Sequence, residues 1–204
     1  MLGFRKKDPD VQIFDDGRRA YRDGDYAKAA EFFSDAAALG HAGAMSNMGL
    51  MYSQGTGVPQ IHQEAVKWWS KAAHLGEMKA QHNLATSYAL GDGIRKSDEE
   101  ALKWFLKAAE QGYHKSQYSL FKIYYEGRGV PVDKEKAAEW LIKAALQMYP
   151  KAELALGKLY IEGEGVEPSE KLALKFLRRA ARHGEESAMD IIREIKGKPR
   201  SSQR

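Results

Sequence analysis

The sequence predicts an all-α solenoid of stacked helix pairs, and three observations carry that prediction. The first is a period. Tyr52, Tyr88, Tyr124 and Tyr160 stand 36 residues apart, and the glycine pairs Gly55/Gly57, Gly91/Gly93, Gly127/Gly129 and Gly163/Gly165 keep the same step. The second is a set of small-residue columns on that step: Ala29, Ala65, Ala101, Ala137 and Ala173, then Ala36, Ala72, Ala108, Ala144 and Ala180, then Ala37, Ala73, Ala109, Ala145 and Ala181. Fixed self-similarity within the 20–50-residue range marks a repeat architecture. The third is the rhythm inside each period. Ala101, Leu102, Trp104, Phe105, Ala108 and Ala109 recur at three- and four-residue spacing, as do Ala80, Leu84, Ala85 and Tyr88, so each period holds two helices buried on one side.

Along the chain, residues 1–8 read as a flexible segment and 9–192 as a single helical-repeat domain. A shorter N-terminal unit at 9–40 precedes four full units at 44–76, 80–112, 116–148 and 152–184. A C-terminal capping helix at 185–196 and a disordered basic tail at 197–204 follow. In every full unit the Gly-x-Gly lies between the two helices. It lacks the third glycine of a dinucleotide fingerprint, and it leaves a helix where that fingerprint leaves a strand, so it is read as punctuation rather than a phosphate loop. Ser97, Asp133 and Ser169 stand where the second helix needs an N-cap, a column that Ile61 breaks. Gly40, Gly76, Gly112 and Gly184 stand where that helix needs a C-terminal glycine. Unit three has Met148 instead, followed by Pro150, which predicts a distorted end. One aromatic per unit, Phe32, Trp68, Trp104, Trp140 and Phe176, fills the space beside the alanines where helices cross closely.

Bulk composition narrows the function classes. The 204 residues are 43% hydrophobic, enough to bury a core, and contain no cysteine, which removes disulfides and thiolate zinc sites. The opening "MLGFRKKDPD" builds no apolar signal region, and no run reaches the length of a membrane span, so a cytoplasmic location is expected. The formal charge of +4 is carried by five basic residues and one acidic residue from Arg193 onward, so residues 1–192 balance to zero. Clustered cations are what phosphate neutralisation needs, and nucleic-acid binding by the body is therefore disfavoured.

The phrases "LGKLY" and "NMGLMY", the following G-x-G-[VI], and second helices such as "KAAEWLIKAA" resemble the Sel-one-like repeat (SLR) family, the longer relative of the tetratricopeptide repeat. Residues 15–40 look more like a tetratricopeptide unit, since Gly17 to Ala29 spans twelve positions where Gly49 to Ala65 spans sixteen. The resemblance implies a right-handed superhelix of antiparallel helix pairs that serves as an adaptor for other proteins. It implies no catalytic residue and no cofactor.

The residues themselves agree on catalysis. The six histidines share no column, and neither HExxH nor GxSxG occurs, so no catalytic or metal site is expected. Three functions compete: a protein-interaction scaffold, a nucleic-acid-binding solenoid, and a helical enzyme or small-molecule binder. A scaffold leads, because stacked repeats create extended concave surfaces. Superposition on the tetratricopeptide pattern puts Lys79, His82 and Thr86, then Lys115, Tyr118, Lys122 and Tyr125, then Lys151, Leu154 and Lys158 on first-helix faces that look into a groove. Tyr118 and Tyr125 lie two turns apart on one face with Lys115 and Lys122 beside them. A protein or peptide partner with an acidic segment or a C-terminal carboxylate is the expected occupant.

Overall fold

The computed structural model describes residues 8–197. The segments 1–8 and 197–204, read above as flexible and basic, fall almost wholly outside the described residues. The described chain is helical without a strand: α1 (Pro9–Arg22), α2 (Tyr26–Ala38), α3 (Ala42–Gln54), α4 (His62–His74), α5 (Met78–Leu90), α6 (Asp98–Glu110), α7 (His114–Glu126), α8 (Lys134–Leu146), α9 (Pro150–Glu162), α10 (Glu170–Arg182) and α11 (Ser187–Gly197). It divides into two compact units, Met1–Ala108 and Ala109–Arg204.

In the first unit α1 packs on α2 and α3 on α4, and α2–α3 and α4–α5 contacts join successive pairs. In the second unit α7 packs on α8 and α9 on α10, with α8–α9 joining the pairs and α11 closing on α10. The alanine columns lie at these crossings. Ala29, Ala65, Ala137 and Ala173 are fully buried, as are Ala36, Ala72, Ala108, Ala144 and Ala180. The terminal helix packs on α10: Ala188 and Ile192 join Leu177 and Ala180 in one apolar cluster.

The period is written into the turns. α3, α5, α7 and α9 each end on the first loop glycine, at φ 70, 73, 71 and 72, a left-handed conformation that a Cβ resists. The loop then returns to the tyrosine column by main-chain bonds. The N–H groups of Ile61, Ser97, Asp133 and Ser169 donate to the carbonyls of Tyr52, Tyr88, Tyr124 and Tyr160 at 2.9, 3.0, 2.9 and 2.8 Å. The second loop glycine lies against the opening of the preceding second helix. A Cβ on Gly57, Gly93 or Gly165 would overlap the carbonyl of Tyr26, His62 or Lys134. These glycines bring backbone against backbone, the role assigned to them as punctuation.

Second helices begin as the column predicts. Ser97, Asp133 and Ser169 accept from the N–H groups of Glu100, Lys136 and Leu172 at 3.2, 2.9 and 3.3 Å, whereas Ile61 leaves α4 without a side-chain cap. Their ends correct one expectation. The third pair is not distorted by Met148, which takes φ 60 in the left-handed region where Gly76 and Gly112 take 91 and 94. The N–H groups of Met148 and Tyr149 donate to Ala145 and Ala144 at 3.0 and 3.4 Å, repeating the bonds of Gly76 and Glu77 to Ala73 and Ala72 at 3.1 and 3.0 Å. Those bonds and the docking of α9 hold the turn against a backbone cost of roughly 1–2 kcal/mol.

Candidate interaction surface

Within the first unit the predicted residues lie on α5. Lys79 is exposed, and His82 is half-buried with its ring 5.4 Å from Phe105. The Thr86 hydroxyl donates to the His82 carbonyl at 2.9 Å, so it is engaged inside its own helix.

The second unit gathers more of the predicted set. Lys115 and Lys122 on α7 and Lys151 and Lys158 on α9 occupy equivalent positions one period apart, and all but the half-buried Lys122 are exposed. None of the four makes an ion pair or ring contact among the described residues. A second column of cations is engaged. Lys71, Lys107, Lys143 and Arg179, one column, lie over the rings of Trp68, Trp104, Trp140 and Phe176 at 4.8, 4.3, 4.0 and 5.5 Å.

Tyr118 and Tyr125 share a face, joined by Phe121. Ring centroids run Tyr149–Tyr118 5.5 Å, Tyr118–Phe121 5.6 Å and Phe121–Tyr125 5.3 Å, spacings at which edge and tilted ring pairs attract. Phe121 stands where other units carry Gly49, Ala85 and Gly157, and it supplies the buried rung between the two tyrosines. Small residues elsewhere in that column have a reason. A Cβ on Gly157 would come within 2.7 Å of Leu177 Cγ, and one on Gly49 would overlap the Trp69 ring.

The two tyrosines differ in what their hydroxyls can offer. Burial raises the Tyr118 phenol above its usual pKa, with Tyr149, Glu185 and Glu126 adding to the shift. Tyr125 donates to Glu164 in the last Gly-x-Gly loop, and that bond, with lesser contributions from burial and nearby carboxylates, pushes its pKa up to about 12. Lys134 binds the other Glu164 oxygen at 2.5 Å and lies 5.2 Å over the Tyr125 ring. The Lys134 and Tyr125 bonds together lower the Glu164 pKa. Tyr125 is therefore tied to the loop, while Tyr118 is held only by rings.

Leu154 packs inward, against the cluster of Leu177, Ala180, Ala188 and Ile192. Beside it lies a charged group that sequence reasoning missed. Gln81 and Gln117 donate to the Ala73 and Ala109 carbonyls at 3.2 and 3.1 Å, joining one repeat to the next. The next member of that column is Glu153, fully buried and unable to donate as a carboxylate. Arg179 takes over the bond to the Ala145 carbonyl at 3.2 Å and pairs with Glu153 at 2.7 Å, while His183 lies 2.6 Å from the other carboxylate oxygen. In the preceding repeat the corresponding pair is Gln147 and Gln117, 2.8 Å apart. The departure of residue 153 from glutamine was the available signal.

The predicted set also omitted positions ahead of α5. Arg18, Tyr21 and Arg22 of α1, Phe33 of α2, and Asn47 and Leu50 of α3 line a hollow of about 200 Å³. Leu50 belongs to the column of Thr86, Lys122 and Lys158, which could have disclosed it. Among the described residues no three His, Asp or Glu side chains converge as metal ligands, and no helix is long and apolar enough to cross a membrane.

A Sel1 repeat model matches residues 13–41, 42–77, 79–113, 114–147 and 150–185, taking the short first unit as a repeat of the same kind. A search of curated proteins gives no significant match. Among solved structures, a Sel1 repeat protein from Oxalobacter formigenes is 31% identical with TM-score 0.87, over 95% of this chain and 83% of that one. A protective antigen present in uropathogenic Escherichia coli strains, displaying an SLR fold, is 36% identical with TM-score 0.82, over 88% of this chain and 39% of the antigen. Helicobacter pylori cysteine rich protein B is 28% identical with TM-score 0.52, over 63% of this chain and 92% of that one. Five matched repeats and paired helices in the same rhythm lead to one assignment: the chain belongs to the Sel1 repeat family.

Proposed function

We propose that the chain is a non-catalytic scaffold that holds an acidic segment of a protein partner on the first-helix positions of α7 and α9. The family supplies the coarse part, since Sel1 repeat proteins generally serve as protein-interaction scaffolds and are typically non-catalytic. The observation that supports the finer part is the lack of ion pairs at Lys115, Lys122, Lys151 and Lys158, beside the half-buried ring of Tyr118. Solvated ammonium groups gain little from isolated surface pairing, but four of them on equivalent positions set orientation and on-rate for an acidic chain. Tyr118 adds rigid apolar area at low entropic cost.

The test is equilibrium binding of a fluorescein-labelled dodecapeptide of alternating Glu and Leu, read by anisotropy. Its Gln-for-Glu twin and the variant Lys115→Ala/Lys122→Ala/Lys151→Ala/Lys158→Ala should each weaken binding at least tenfold, about 1.4 kcal/mol. Unchanged affinity in the four-lysine variant, or displacement of the peptide by a short single-stranded RNA at lower concentration than by unlabelled peptide, contradicts the proposal.

A further inference from the structure

We infer that the outward side of α10, together with the turn that follows α8, docks on the surface of an anionic lipid bilayer. The site is separate from the first-helix lysines of the acidic-segment proposal and does not depend on them.

The sequence singles out α10. Lys171, Lys175, Arg178 and Arg182 follow one another at steps of four, three and four residues, which places them on one face of the helix. All four are exposed, in a row roughly 16 Å long at 1.5 Å per residue. The equivalent positions are Glu135, Glu139, Ile142 and Leu146 on α8, and Gln63, Lys67, Ser70 and His74 on α4, so the repeat itself does not require cations there. Of the four, the helix dipole accounts for Arg182 in the last turn, because its effect does not reach further. None of them forms an ion pair among the described residues. Lys175 lies 5.9 Å from the Phe176 ring, and Arg182 donates to the Arg178 carbonyl at 3.4 Å. Neither contact neutralises a charge.

At the turn end of the row the surroundings become apolar. Leu146 holds on α8 the position that Arg182 holds on α10, and Arg179 fastens the two helix ends by donating to the Ala145 carbonyl at 3.2 Å. Leu146 is 64% exposed, and Met148 in the following turn is 61% exposed. Carboxylates collect toward the other end, with Glu162, Glu164, Glu167 and Glu170 around the last Gly-x-Gly loop and Glu135 and Glu139 on the first half of α8. Glu186 is an exposed acid beyond the turn after α10.

The pairing of cations with exposed apolar side chains decides the partner. Any polyanion would satisfy the row, but Leu146 and Met148 gain nothing from a nucleic-acid backbone. In a bilayer they sink below the phosphates that the arginines hold. Each cation brought to an anionic leaflet raises partitioning about fivefold.

The probe is unilamellar vesicles of seven parts phosphatidylcholine to three parts phosphatidylglycerol, mixed with the full chain and separated by flotation. The chain should float with them, stay behind with vesicles of phosphatidylcholine alone, and be released as salt is raised. Lys171→Gln/Lys175→Gln/Arg178→Gln/Arg182→Gln should weaken partitioning by at least about tenfold. Leu146→Ser/Met148→Gly, which gives the turn the glycine of the other repeats, should weaken it by at least about threefold. Helicity by circular dichroism should be unchanged in both, since every altered side chain is exposed. Lys198→Gln/Arg200→Gln/Arg204→Gln and the four-lysine variant at 115, 122, 151 and 158 should bind vesicles within about threefold of wild type. Equal binding to both kinds of vesicle, or unchanged binding by the α10 variant, would overturn the inference. So would a tail or four-lysine variant as weak as the α10 variant, or a single-stranded RNA held more tightly than the vesicles and equally well by Leu146→Ser/Met148→Gly.

Discussion

Tyr125 shows how a residue that looks free in sequence is committed in the fold. Its hydroxyl donates to Glu164, so the fold favours the protonated phenol and its pKa stands at about 12 against an ordinary 10. A group whose folded pKa is raised contributes stability that is complete below its unfolded value and is lost as pH rises through the folded one. For Tyr125 that window is pH 10 to about 12. Glu164 is shifted down, so its contribution is present above the ordinary carboxylate range and is lost as pH falls through its folded pKa. Ultraviolet titration should therefore show one tyrosine ionising about two pH units late, absent in Tyr125→Phe and moved back toward 10 in Glu164→Gln. If Glu164→Gln left the late tyrosine unmoved, the bond would not be its cause. Tyr125→Ala also removes a loop contact, so Tyr118 is the cleaner position for testing an anchor.

At the scale of the element, the joint that ties a first helix to its own second helix and to the preceding repeat is written in two chemistries, one at α7 and one at α9. One uses neutral amides, Gln117 with Gln147; the other uses Glu153 with Arg179 and His183. Removing one partner of a buried ion pair costs roughly 3–5 kcal/mol. Arg179 is 20% exposed and can recover some hydration, which puts Glu153→Ala near the lower end, at about 3 kcal/mol. The triple change Glu153→Gln/Arg179→Lys/His183→Gln rebuilds the amide joint and should return stability to within about 1.5 kcal/mol of wild type. Urea denaturation of the three proteins decides: a triple variant no more stable than Glu153→Ala would show that the two joints are not interchangeable.

This scale also shows what the sequence could disclose. The N-caps Ser97, Asp133 and Ser169, the loop glycines and the alanine columns were legible because each acts through neighbours within a few residues or one period. Met148 was misread, since its αL turn is held by bonds to Ala144 and Ala145 and by the helix that follows, which a missing glycine does not reveal. The Glu153 joint and the Tyr125–Glu164 bond were not legible, because they connect different columns at separations of 26 to 39 residues. The hollow at Arg18 escaped because the short first unit shifts the register that the later repeats share.

For the whole molecule, the columns build the stacked helix pairs, and the proposal places partner binding on cations that the stacking does not use. Lys71, Lys107 and Lys143 lie on the repeat's own aromatic rings, whereas Lys115, Lys122, Lys151 and Lys158 have no internal partner among the described residues. The central claim is that these four are kept for an acidic protein segment. An unbiased selection of random dodecapeptides displayed on phage tests it most directly, run in parallel on the wild-type chain and on the four-lysine variant, with helicity matched by circular dichroism. The account predicts enrichment of Asp and Glu beside apolar residues for the wild type and loss of that enrichment for the variant. Enrichment without acidic residues, or the same acidic sequences recovered equally by both proteins, would contradict it.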